Sequence, residues 1–220
     1  MGLREFATPA NGSCWQYALY CTQWGLCDDN IMPVGVAKRE AEYYRTGIFG
    51  IMDQNYEMLV ETQVISEESL CQHFLQVSTV NSTTRGLVRD EIRRDAIQPC
   101  DELIAGRYWT GPDGIRVTTL WLRQPVIVVD RHLNGDITAQ LYTIERLTTA
   151  ASRETVRTTL LTHEQIDRLL AAYTKARVIP LVVAIDHLTR HFTGLRVDDM
   201  KRTRSSRRRG RPRSDVRARC

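Results

Sequence analysis

Among the six cysteines and five histidines of this 220-residue chain, Cys14 is the one whose neighbours suit a nucleophile. Asn11-Gly12-Ser13 reads as a tight turn running straight into a helical apolar pattern, Cys14-Trp15-Gln16-Tyr17-Ala18-Leu19-Tyr20. Gly12 lets the backbone turn, and the unpaired amides of the first helical turn, with the macrodipole behind them, favour an anion there. The spacing therefore predicts a thiol that ionises more readily than a free cysteine. A plainer reading stands beside it: Cys14 as one more buried small hydrophobe. Cys21, seven residues on and on a similar face, is the rival thiol, but it lies mid-helix, away from the unpaired amides.

The remaining cysteines form no CxxC pair and no Cys/His cluster with zinc spacing, so no metal or other cofactor is expected. Without a secretory signal a disulfide framework is disfavoured, which leaves Cys21, Cys27, Cys71 and Cys100 as buried small residues. Of the histidines, His73 sits inside a helical pattern as a surface or satisfied core residue. His163 opens a helix, and His132 adjoins an Asn-Gly turn. All three lack any mark of a base placed against the thiol.

The elements that must position these groups follow from periodicity. Residues 1–10 read as an extended entry segment, with Thr8-Pro9 favouring extended backbone. The helix from Cys14 ends near Gly25 and buries Trp15, Ala18, Leu19 and Thr22. A loop over 28–33 leads to a charged, exposed helix over 36–44 closed by Gly47. Further helices are predicted over 53–64, from Ser66 through Leu75, and over 87–97 after a polar loop at 81–85. Gly111-Pro112-Asp113-Gly114 supplies a turn before 115–122. The apolar run 125–130 and the alternating run 137–144, joined at Asn134-Gly135, form a hairpin. Residues 148–159 read as loop, Thr162 caps a helix through Lys175, 178–185 is a second buried strand, and the chain returns through His191 to Val197. Helices early and strands late make the fold α+β, a small mixed or antiparallel sheet packed by helices.

At 42% hydrophobic residues the chain can hold one globular domain and an appendage, placed at 1–200 and 201–220. Of its thirty basic residues, ten fall in the last twenty positions beside a single acid. The body is thus net acidic and the tail strongly basic. No apolar run approaches the roughly 18 residues of a membrane span, and a nuclear or cytoplasmic location is expected.

Three stretches, in order, resemble the ovarian-tumour (OTU) domain cysteine proteases, which are mostly deubiquitinating enzymes. Asn11-Gly12-Ser13-Cys14-Trp15 resembles their Asp-Gly-Asn-Cys-aromatic segment. Tyr108-Trp109 precedes a helix and the strand Val126-Ile127-Val128-Val129. Ile179-Pro180-Leu181-Val182-Val183 then leads to Arg190-His191-Phe192, similar to the family's His-aromatic step. The resemblance covers roughly residues 5 to 198. It implies an OTU-like, papain-type α+β fold and hydrolysis of ubiquitin or ubiquitin-like conjugates. In that reading Cys14 attacks the carbonyl and His191 is the base. The amides of Gly12, Ser13 and Cys14 form the oxyanion hole, and Trp15 and Trp109 line the cleft. His187 competes for the role of base, but sits in the turn beside Asp186. Two positions depart from the family pattern: Asn11 stands for Asp, and Thr193, two after His191, for Asp or Asn. The partner orienting His191 is thereby left open, among Asn11 through its carbonyl oxygen and Asp198 or Asp199.

Residues 201–220 are too polar to form a core and are expected to be disordered. Within them Arg207-Arg208-Arg209-Gly210-Arg211-Pro212-Arg213 resembles the AT-hook, whose Arg-Gly-Arg-Pro core, here Arg209, Gly210, Arg211 and Pro212, lies in the A·T minor groove. A nuclear-import signal or general polyanion tail is the alternative. For the whole chain, the rival to an enzyme is a catalytically impaired ubiquitin-binding or DNA-tethering protein. A protease joined to such a tail also suits a mobile element or virus.

Overall fold

A computed structural model describes residues 3–24, 34–108, 110–132, 134–147, 153–186 and 191–197. Its centre is a six-stranded mixed sheet in the order β1-β6-β5-β2-β3-β4. The strands are β1 Leu3–Phe6, β2 Val126–Arg131, β3 Ile137–Arg146, β4 Glu154–Thr162, β5 Leu181–Asp186 and β6 His191–Val197. Only β2 and β5 pair in parallel; β1 with β6, β5 with β6, β2 with β3 and β3 with β4 are antiparallel. The helices are α1 Cys14–Trp24, α2 Val34–Gln54, α3 Tyr56–Glu61, α4 Glu67–Leu70, α5 Ser82–Ala96, α6 Pro112–Leu122 and α7 His163–Ala176.

The continuous apolar runs of β2 and β5 follow from their central place, because a strand covered on both faces needs apolar residues at every position. Val126, Val128, Leu181 and Val183 face the larger core with Trp15, Leu19, Ile48 and Phe192. Ile127, Val129, Val182 and Ala184 face the smaller one, where Ile166 and Leu170 of α7 cover the sheet. β6 continues the alternation: Phe192 enters the first core and Leu195 the second. That fixes the register of His191 against the rest of the sheet.

The α+β class is as the sequence predicts, with several elements differently drawn. α2 is one helix of 21 residues that runs through Gly47. It buries Ala37, Ala41, Tyr44, Arg45, Ile48, Phe49 and Met52, so it is not a charged exposed helix. Gly47 packs against the Trp121 indole, where a Cβ would collide with the ring, and it serves close approach, not termination. The predicted helix over 53–64 divides after Gln54, and α3 starts at Tyr56. Asn81, read as loop, is the N-cap of α5 in a reciprocal capping box with Thr84. Gly111 is likewise an N-cap with Pro112 opening α6, so the expected turn is a helix start. The predicted loop over 148–159 contains β4 from Glu154. As the edge strand it keeps only Val156 and Leu161 buried, and its polar side is solvated, so it carries little apolar signal. β1 is also an edge strand, formed by residues read only as extended.

Candidate active site

Cys14 is the first residue of α1, and the turn before it is tied down from three sides. Gly12 adopts φ 88°, a left-handed conformation that favours glycine. Asn11 accepts from the Ser13 amide through Oδ1 at 3.1 Å and donates through Nδ2 to the Cys100 carbonyl at 2.7 Å. The Asn11 carbonyl accepts from the Ile104 amide at 3.1 Å. From beneath, Arg45 Nη2 donates to Ser13 Oγ at 3.1 Å and lies 3.5 Å from Gln16 Oε1, while Gln16 Nε2 donates to Thr110 at 3.2 Å.

Arg45 is buried and paired with Asp95, also buried, by a hydrogen bond from Nη1. Burial pushes the Asp95 carboxyl upward, and the Arg45 guanidinium pulls against that shift. A charge buried in this way is held only with its partner in place. Sequence reading missed the pair, because Arg45 looks like one more charge on a polar helix. Its one signal is position: with Ala37, Ala41, Tyr44 and Ile48 it lies on the stripe that α2 buries.

The thiol of Cys14 is 5% exposed. Burial raises its pKa above the ordinary value, and this outweighs the amides of Phe192, Trp15 and Cys14 itself, which pull it down together with the charge of Arg45. The expected easy ionisation is therefore corrected. The helix start does supply amides to the sulfur, but the surrounding core removes the water that would solvate a thiolate. Cys21 is buried in mid-helix, and Cys71 and Cys100 are buried free thiols.

The strand carrying His191 is pressed against this helix start. The amide of Phe192 donates to Cys14 Sγ at 3.4 Å. The Phe192 ring meets Trp15 edge-on at 5.1 Å. Trp15 is wholly buried and donates to Thr118 Oγ1 at 3.3 Å, so it seals the site from within and does not line a cleft. Gly194 approaches α1 closely: a Cβ there would lie 2.9 Å from Cys21 Cβ and 3.2 Å from the Ala18 carbonyl.

The imidazole of His191 lies with Nε2 3.2 Å from Thr8 Oγ1, and the same hydroxyl donates to the Phe192 carbonyl. Among the described residues no hydrogen bond joins His191 to Cys14. Thr193 donates to Glu5 at 2.7 Å, and Arg131 binds the other Glu5 oxygen at 2.8 Å. Burial pulls the Glu5 carboxyl upward, but the hydrogen bonds from Thr193 and Arg131 and the charges of Arg131 and His191 outweigh it, leaving Glu5 below the usual range.

Asn11 thus contacts the turn and Cys100, not the imidazole, and the hydroxyl beside His191 Nε2 is that of Thr8, which the sequence did not single out as a site residue. The Ser13 amide is engaged by Asn11, which leaves those of Gly12 and Cys14 as candidates for an oxyanion. Trp109, His187, Asp198, Asp199 and the residues 201–220 with Arg209, Gly210, Arg211 and Pro212 lie outside the described residues. His73 packs on Phe74 at 4.9 Å and against Gly111, His132 is exposed with Nε2 2.8 Å from Thr138 Oγ1, and His163 is exposed at the start of α7. Among the described residues no group of three or more His, Cys, Asp or Glu is placed to hold a metal ion.

Neither a protein-family model nor a curated protein matches this sequence. Solved structures similar to it include OTU domains. The OTUD1 OTU domain is 9% identical with a TM-score of 0.46, over 89% of this chain and 86% of that one. The viral OTU protease of Farallon virus is 8% identical with a TM-score of 0.48, over 90% and 86%. The Hazara virus OTU, in a structure bound to ubiquitin, is 14% identical with a TM-score of 0.38, over 88% and 80%.

Proposed function

We propose that the protein is an OTU-like cysteine hydrolase that cleaves peptide or isopeptide bonds of ubiquitin or a ubiquitin-like modifier. The observation that carries this reading is the Phe192 amide on Cys14 Sγ, which sets the residue after His191 against a thiol at a helix start. The class of conjugate comes from the OTU-like motifs around Cys14 and His191. In the reaction the thiol gives its proton to His191, and Cys14 Sγ adds to the carbonyl carbon. The negative charge that develops on oxygen is met by the amides of Gly12 and Cys14. As the C–N bond breaks, His191 returns the proton to the leaving amine and a thioester remains. Water then adds to the thioester with His191 as base, and the C–S bond breaks to release a carboxylate and the thiol. Because the resting thiol is held neutral by burial, turnover depends on this base more than on a standing thiolate.

The same burial favours a second reading, a ubiquitin-binding protein with little or no turnover. Incubation with ubiquitin dimers of the available linkages separates them. Release of monomer that is lost in Cys14→Ala supports the hydrolase, while binding without cleavage by the wild type supports the binder. For residues 201–220 we propose an arm directed to A·T-rich duplex DNA, on the strength of the Arg209-Gly210-Arg211-Pro212 sequence.

A further inference from the structure

We infer that Thr8 positions the His191 imidazole, and that it does so by fixing which ring nitrogen carries the proton. This rests on the reading of His191 as the base. A threonine hydroxyl has one proton to give and lone pairs with which to accept. The Phe192 carbonyl can only accept, so the Thr8 proton is committed to it. The contact between Thr8 Oγ1 and His191 Nε2 at 3.2 Å must then run the other way, with Nε2–H donating to the hydroxyl. A neutral imidazole protonated at Nε2 has its lone pair at Nδ1, the nitrogen nearer its own main chain. That main chain is the segment whose next amide rests on Cys14 Sγ. The ring is thereby held in the tautomer that can take the thiol proton.

Among the described residues, Asn11 and Thr193 are engaged elsewhere. Asn11 spends its side chain on Ser13 and Cys100. Thr193 donates to a carboxylate that can only accept, so position 193 anchors Glu5 of β1. Glu5, held ionised by Thr193 and Arg131, contributes its field to the imidazole without orienting it. Beside the ring stand Glu5 on β1, which feels the charge of His191, with Arg131 of β2 bound to it, and Asp186, the cross-strand partner of His191 on β5. A hydroxyl does here what a carboxamide or carboxylate does in papain-type sites, adding direction but no charge.

The test reads the ring and the thiol without any ubiquitin substrate. Imidazole 15N shifts of the full chain, with His191 assigned by the signal lost in His191→Gln, report the neutral tautomer. Iodoacetamide alkylation of Cys14 at pH 7 reports base assistance. The expected results are Nε2–H in the wild type, loss of that single tautomer in Thr8→Val with alkylation slowed on the order of 10²-fold, and recovery of both in Thr8→Ser. Nδ1–H in the wild type overturns the proposal even if Thr8→Val does not fold. So does a folded Thr8→Val protein with unchanged tautomer and rate. A chain with the expected tautomer and Thr8-dependent alkylation that cleaves no ubiquitin conjugate keeps Thr8 in this role and removes the hydrolase reading.

Discussion

Phe192 and Cys14, 178 positions apart in sequence, are joined by a backbone amide on a sulfur at 3.4 Å. That bond makes the separation of α1 and β6 the controlling dimension of the site. Anything that moves the strand from the helix start moves His191 from the thiol.

Gly194 is where this dimension is set. Gly194→Ala puts a methyl group 2.9 Å from Cys21 Cβ and 3.2 Å from the Ala18 carbonyl. Overpacking of this kind costs about 1–3 kcal/mol, and alkylation of Cys14 should change with it. Gly86→Ala on α5, where a Cβ meets nothing within 4 Å, should stabilise by up to about 1 kcal/mol. Urea unfolding of both variants checks the contrast.

Asp95→Ala leaves the Arg45 guanidinium buried without its carboxylate. The expected loss is about 3–5 kcal/mol. Arg45→Met combined with Asp95→Leu should be less damaging than Asp95→Ala alone, since no buried charge remains. In the folded double variant the pH of half-maximal Cys14 alkylation should rise, because the charge that pulls the thiol down is gone. An unchanged alkylation profile would show that Arg45 acts on the turn alone.

Stability should fall on the alkaline side. Burial raises the pKa values of Cys14, Cys100, Tyr142 and Tyr173, and pushes Tyr17 to about 12. A group that keeps its proton longer in the fold than in the unfolded chain adds stability below its unfolded pKa, and that contribution disappears as pH rises. The decline should begin near about pH 8.5, where unfolded cysteine ionises, and continue towards about 12. Cys14→Ala should soften its first part. Thermal melts from pH 7 to 11 measure it.

The base and the tail can be tested separately. His191→Ala should lower turnover by on the order of 10²–10⁴-fold and His187→Ala only mildly; loss at His187 alone would make His187 the base. Deleting 201–220 removes ten basic residues and one acid, so binding to A·T-rich duplex should collapse while hydrolysis of free ubiquitin chains persists. Changing Arg209 and Arg211 to Lys keeps the charge but alters the planar groups, and should abolish preference for A·T over G·C duplex if the arm reads the groove.

The sequence made legible what depends on local pattern: the turn into α1, the apolar runs of β2 and β5, the hairpin at Asn134-Gly135 and the Thr162 cap of α7. It misread elements whose character comes from their neighbours. β4 looked like loop because an edge strand needs few apolar residues. Arg45 drew no attention because the Asp95 it pairs with is 50 positions away. Cys14 looked easily ionised because the amides at a helix start are visible in the sequence, whereas Phe192 and the other side chains that dry the sulfur come from distant parts of the chain. Thr8 gave no sign of its contact with His191 and Phe192, since those residues lie at the far end of the chain.

The central claim is that Cys14 is a nucleophile addressed to ubiquitin. A ubiquitin probe with a thiol-reactive C-terminus, followed by mass spectrometry of the adduct, tests it most directly. The account predicts one adduct at Cys14, lost in Cys14→Ala and retained in Cys21→Ala. Absence of any adduct with the folded wild-type chain, or an adduct at Cys21 or another cysteine that persists in Cys14→Ala, would contradict it.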